Sequence, residues 1–353
     1  MSQAISPDRL LEERGVTEAL GAFVVGAAYD KSGTCAFALG DGSLRIAAKG
    51  RAWIPVAAHD GAVLELVADG RPAGWVTGGD DGKFLRISTD GTVSGIAEFG
   101  MMKWVEHVAA HSDGKGVLAC SVGKTVHVFD GAGEKLKSVQ HPSSVTGLVF
   151  DGKGKRFAAS HYNGASVWFV ASKTDNPRKL EWKGSHTGIA MSPDGDCVVT
   201  AMQENSLHGW RIADKKDMRM TGYPTKTRSF SWSSDGEGLA TSGADASVVW
   251  PFQSKDGPRG KAPRECGVRT PKVTRVAFHP KSPVLATGYE DGWILLCRLA
   301  DGAELLVRRT PEGTPTSGRH RAAISALVWD SDGKRLLFGT ENGEAGLLTL
   351  PVS

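Results

Sequence analysis

Cysteine is scarce in this 353-residue chain: Cys35, Cys120, Cys197, Cys266 and Cys297 form an odd set with no Cys-x-x-Cys pair. They read as free thiols buried in a reducing compartment, and not as a disulfide framework. No apolar run approaches the roughly 20 residues of a membrane span. Met1 to Gly21 carries Asp8, Arg9, Glu12, Glu13 and Arg14 without an apolar stretch, unlike a secretory signal. The expectation is a soluble cytoplasmic protein with no membrane association. Charge of one sign is also missing, since 42 Lys and Arg face 39 Asp and Glu for a net +3. No global attraction to nucleic acid follows from that balance.

Catalytic signatures are missing as well. Gly123-Lys124-Thr125 resembles the end of a phosphate-binding loop, but Leu118 stands where the first glycine belongs. No Gly-x-Ser-x-Gly elbow occurs, and no set of nucleophile, base and orienter stands out. His107 and His111, four apart, align with a strand and a turn and have no partner ligand nearby in sequence. The chain is expected to have no catalysis of its own and no cofactor or metal.

What the chain does have is repetition, with a period of roughly 41 residues. Eight copies align on a first turn at Gly33, Gly70, Gly114, Gly154, Gly195, Gly236, Ser282 and Gly333. Each copy has a strand before that turn and a short run of small and β-branched residues after it. A second turn follows, such as Asp41-Gly42, Asp81-Gly82, Asn163-Gly164 or Asn342-Gly343, whose residue types supply the positive φ of a tight hairpin. A third strand and a weaker fourth complete the unit. Such a unit cannot bury its own apolar face, so copies must stack. The predicted fold is all-β: a β-propeller of eight blades of four antiparallel strands, occupying residues 1–353 as one domain. Seven blades is the alternative, and requires that the first or third copy not form a full blade. The chain ends at Ser353 without a fourth strand in the last copy, so the segment from Ser6 to Leu20 is predicted to supply it and close the ring.

From Ala22 to Val352 these copies resemble the WD-repeat β-propeller family. An opening histidine survives at His59, His141, His186 and His320, and a closing aromatic at Phe129, Trp168, Trp210 and Trp250. The resemblance implies a structural hydrogen-bond set in the fourth copy made by His141, Ser160, Trp168 and the turn residue Asn163. It also implies that the histidines work inside blades and do not share a metal.

Function then moves to surfaces. Turns between second and third strands and loops entering first strands emerge at one end of a propeller. Those positions hold Trp104, His161, Tyr162, Tyr223, Arg228, Arg275, Tyr289 and Glu290. Aromatics and arginine anchor interfaces because they bury much area at small entropy cost. The reading is a non-catalytic scaffold presenting a rigid end face to a protein or peptide partner, with room for assembly into a larger complex. One alternative is a propeller enzyme or metal-binding propeller using Asp80, Glu204, Asp245 and Glu290 at the channel mouth. A second is nucleic-acid association through the basic loops 253–272 and 308–321. Neither loop contains an aromatic to stack a base, which weighs against it.

Overall fold

The protein was analysed as a computed structural model, in which residues 11, 14–47, 52–69, 73–100, 102–112, 115–174, 176–310, 313–314, 318 and 321–350 are described. The chain packs as two compact units, one of Ala28–Lys226 and one of Thr227–Ser353 with the N-terminal residues up to Ala27. Every strand pairing among the described residues is antiparallel, and consecutive strands are neighbours within their sheets. The architecture is an all-β propeller.

Burial follows strand position within a repeat. The second strands Cys35–Leu39 and Gly74–Gly79 are buried at every residue, whereas the fourth strand Val93–Glu98 is mostly exposed. A strand covered on both faces has no polar face to alternate with, which is why these segments read as unbroken apolar runs. The turn after the first strand is pinned by a recurring device. Asp151 Oδ1 accepts the backbone N–H groups of Lys155 and Arg156 at 2.8 and 3.1 Å, while Arg156 Nε donates to Asp151 Oδ2 at 2.9 Å. Asp330 and Arg335 repeat the arrangement. At the second turn, Gly82 has φ of 79°, and a Cβ there would lie 2.3 Å from the carbonyl oxygen of Gly100, so the position requires glycine on both counts.

Among the described residues the strands form seven hydrogen-bonded sheets, six of four strands and one of six, which matches the alternative count of seven and not the eight separate blades expected first. All eight sequence copies are nonetheless present, because the six-stranded sheet carries copies four and five. Within Arg156–Phe169 the chain reverses at Asn163 (φ 67°) and Gly164 (φ 138°). His161 Nε2 and Ser166 Oγ consequently face each other at 2.9 Å across a hairpin. The next strand, Arg178–Met191, pairs with Tyr162–Val167 through its first half and with Val198–Met202 through its second. One uninterrupted strand is therefore the outer strand of copy four and the inner strand of copy five. No turn separates them, and the two copies merge into one sheet.

At the N-terminus, the strand Gly15–Ala19 pairs with Glu344–Leu348, from Gly15 opposite Leu348 to Ala19 opposite Glu344. It supplies the fourth strand that the last copy lacks. Leu20 N–H extends the ladder to the Gly343 carbonyl at 2.7 Å.

Candidate functional site

The hydrogen-bond set expected in copy four is only partly made. Trp168 Nε1 donates to His141 Nε2 at 3.0 Å. Ser160 Oγ instead meets Thr146 Oγ1 at 3.0 Å, and Asn163 Oδ1 accepts the N–H of Gly184 at 3.2 Å. Asn163 sits in the hairpin turn with its side chain occupied there, so it does not reach the histidine. The more complete network lies in copy two. His59 Nδ1 faces Asp81 Oδ1 at 2.9 Å and His59 Nε2 faces Thr77 Oγ1 at 2.9 Å. His186 bridges Thr200 Oγ1 at 2.7 Å and the Trp182 carbonyl at 3.0 Å. Trp210 and Trp250 are buried core residues. His320 lies outside the described residues.

Three of the expected anchors are buried and unavailable to a partner. Tyr289 has 0% exposure, its hydroxyl donating to the Gly267 carbonyl inside a cluster with Cys266 and Cys297. Tyr223 is buried. His161 is buried too, bound through Nδ1 to the Tyr162 carbonyl and through Nε2 to Ser166. Tyr289 and His161 are strand residues just before their hairpin turns, and their side chains pack into the blade. Glu290 accepts the Lys272 N–H at 3.0 Å. Arg228 is exposed and Arg275 half-buried.

Trp104 and Tyr162 do reach the surface, at 51% and 53% exposure, both in the unit Ala28–Lys226. Two further residues not singled out in the sequence accompany them, Met102 at 88% and Trp182 at 37%. Met102 has φ of 65°, a conformation costly for a non-glycine residue and retained here in an exposed loop. A cleft of about 580 Å³ is lined by Phe99, Met102, Trp104, Glu106, Thr125 and His127, among others. A second, of about 560 Å³, is lined by Tyr162, Asn163, Glu181, Trp182 and Lys183. The Tyr162 N–H donates to Ser143 Oγ at 2.8 Å, and the neighbouring Ser144 lines the first cleft. The loop between copies three and four thus touches a residue of each cleft.

The aromatic groups are held from beneath. Trp182 stacks on His208 with ring centroids 3.9 Å apart and planes within 17°, and its carbonyl is bound by His186. Phe99 lies 4.6 Å from the His127 ring. Burial pushes His127 and His208 down to about 4, with Lys135 adding to the effect at His127 and Asp217 opposing it at His208. Both supports are neutral at neutral pH and act as apolar floors. Lys103, Lys124 and Lys183 are exposed around them.

A third pocket, of about 460 Å³, lies in the other unit between Ser233, Asp235, Trp250, Arg264, Phe278 and Lys281. Its charges are largely engaged, Lys281 with Asp332 at 2.7 Å and Asp235 with Ser233 at 2.5 Å. One arginine of each basic loop is engaged within the protein. Arg269 forms two bonds to Asp291, at 3.2 and 2.9 Å, and lies 3.9 Å from the Trp293 ring. Arg308 is buried against Glu344 at 2.6 Å. Among the described residues, Asp80, Glu204, Asp245 and Glu290 included, no group of three or more His, Cys, Asp or Glu is placed to hold a metal ion.

Residues 266–297, within the seventh copy, match the family described as WD domain, G-beta repeat. The chain is 25% identical over 156 residues to the WD repeat-containing protein slp1 of Schizosaccharomyces pombe, a match covering 42% of this chain and 30% of that protein. It therefore spans less than a third of the length of that curated relative. Among solved structures it is similar to the computationally designed Ika8 protein, with a TM-score of 0.73 and 17% identity over 94% of this chain and 98% of the other. Sheet order makes the fold a β-propeller, and the chain is similar to WD-repeat proteins over residues 266–297 and over the stretch shared with slp1.

Proposed function

We propose that this propeller is a non-catalytic interaction scaffold and that a protein or peptide partner docks across Met102, Trp104, Tyr162 and Trp182. The observation that carries this reading is the exposure of four large side chains around two clefts, in a unit where Trp75, Trp168 and Trp210 are buried and Trp53 is half-buried. Clustered exposed aromatics bordering a concave surface are characteristic of interaction sites. Trp182 is braced by His208 and His186, so binding would order few side chains and lose little entropy. Lys103 and Glu106 in one cleft, and Lys183 and Glu181 in the other, offer charges of both signs to the polar edge of a partner segment.

The test compares capture of cellular partners by the wild-type chain and by Trp104→Ala/Tyr162→Ala, with circular dichroism verifying the fold. Selective loss of one partner from the variant supports the reading. Equal capture by both proteins removes this face from consideration.

A further inference from the structure

In the unit containing copies six to eight, the innermost strands are laced side by side. Ser229 Oγ accepts the Val276 N–H at 3.1 Å and donates to the Val276 carbonyl at 3.4 Å. Thr274 Oγ1 donates to the Ile324 carbonyl at 2.7 Å. Arg228 immediately precedes Ser229 and Arg275 immediately precedes Val276, so the lacing sets the two arginines level on adjacent strands. Arg275 is fixed by Nε donating to the Ser325 carbonyl at 2.7 Å and Nη1 donating to the Thr274 carbonyl at 2.9 Å. Its Nη2 remains uncommitted. Arg228 is exposed, and its only hydrogen bond runs from the backbone N–H to Ser242 Oγ at 3.1 Å.

The surrounding carboxylates are occupied. Glu341 grips Arg321 with both oxygens, at 2.6 and 3.0 Å, and Glu290 accepts the Lys272 N–H. Neither Arg228 nor Arg275 has a carboxylate within ion-pair distance among the described residues. Burial and then the Arg228 charge hold Arg275 below the ordinary arginine range, with Glu341 opposing. Two cations on neighbouring laced strands, without a paired carboxylate among the described residues, are costly alone and well suited to an anion.

We propose that Arg228 and Arg275 form an oxyanion site for a phosphate-class dianion. A tetrahedral oxyanion presents enough acceptors to engage two planar forks at once, which a single carboxylate does less well. Arg275 is the preset half, locked by two carbonyls, and Arg228 closes on the ligand from the exposed side. The same chemistry is offered by free inorganic phosphate and by a phosphorylated side chain of a polypeptide.

The experiment is isothermal titration of the full-length chain with inorganic phosphate, with chloride at matched ionic strength as control, repeated on Arg228→Gln. Arg228 is exposed and its side chain bonds to nothing, so this variant should fold, and its unliganded melting temperature verifies that. Saturable phosphate binding by the wild type, weakened about tenfold or more in Arg228→Gln, is the expected result. Arg228→Lys should fall between the two, because it keeps the charge but loses the fork. Tighter binding of O-phosphoserine than of phosphate would assign the site to a phosphorylated polypeptide, and equal binding to the free anion. Phosphate heats no different from chloride, or affinity unchanged in Arg228→Gln, overturn the proposal.

Discussion

Gly15 lies opposite Leu348 in an antiparallel ladder, so the first described strand completes the sheet built by the last. Five residue pairs join the two strands, from Gly15–Leu348 to Ala19–Glu344. Deleting residues 1–20 should cost on the order of 3–5 kcal/mol, at about 1 kcal/mol for each net hydrogen bond lost. It should also expose the Glu344–Thr349 edge to association. Urea unfolding and sedimentation check this. An unchanged midpoint in a monomeric truncated chain would contradict it.

His59 ties two partners in copy two, the half-buried Asp81 carboxylate and the buried Thr77 hydroxyl. His59→Ala should destabilise by about 2–4 kcal/mol, because it leaves a carboxylate and a hydroxyl without their partner. Ser160→Ala, which loses one bond to Thr146, should cost about 1 kcal/mol. Chemical denaturation of the two variants ranks them, and the reverse order would show that the working network is in copy four.

Acid should weaken the fold before it reaches the carboxylates. Burial pushes His127, His141 and His208 down to about 4 from an ordinary value of 6.5, and also lowers His161 and His186. The unfolded chain therefore binds protons that the folded chain refuses between about 6.5 and about 4. Stability rises with pH across that window and falls on acidification. His107 runs the other way: although burial opposes it, the Glu65 hydrogen bond holds its value up, so its contribution is present at low pH and lost as pH rises. The five lowered groups outweigh it. Melting temperature should drop steadily from pH 7 to pH 4.5, less steeply in His127→Asn; a flat profile would contradict this.

Arg308 is buried beside Phe338 and paired with Glu344. Glu344→Gln should cost about 3 kcal/mol by stranding that charge, whereas Arg308→Met/Glu344→Gln should recover part of the loss. A double-mutant cycle by urea denaturation measures the coupling, and additive costs would show that the pair is not coupled.

Much of this fold was legible because turn chemistry and burial leave local marks. Asp81-Gly82 and Asn342-Gly343 announce hairpins, and runs such as Cys35–Leu39 announce strands buried on both faces. The N-terminal strand was legible by subtraction, since the last copy lacked one. The fusion of copies four and five was not, because nothing in Arg178–Met191 distinguishes a continuous strand from two strands joined by a short loop. The copy-two network was hidden by Thr77 standing where the resemblance suggested serine. Surface identity was the least legible: Tyr162 and Tyr289 lie just before comparable turns, yet one ring points out and the other turns inward beneath Gly267. Met102 and Trp182 were missed because their prominence depends on what flanks them in space, His208 above all.

The most direct test of the account is the affinity of a captured partner for the wild-type chain and for Trp104→Ala/Tyr162→Ala, measured at equal ionic strength with both proteins folded. The account predicts a loss of about a hundredfold or more, as expected when two aromatic anchors are removed from one interface. An affinity unchanged within twofold, on the order of 0.4 kcal/mol, would place the partner elsewhere on the propeller and contradict the central claim.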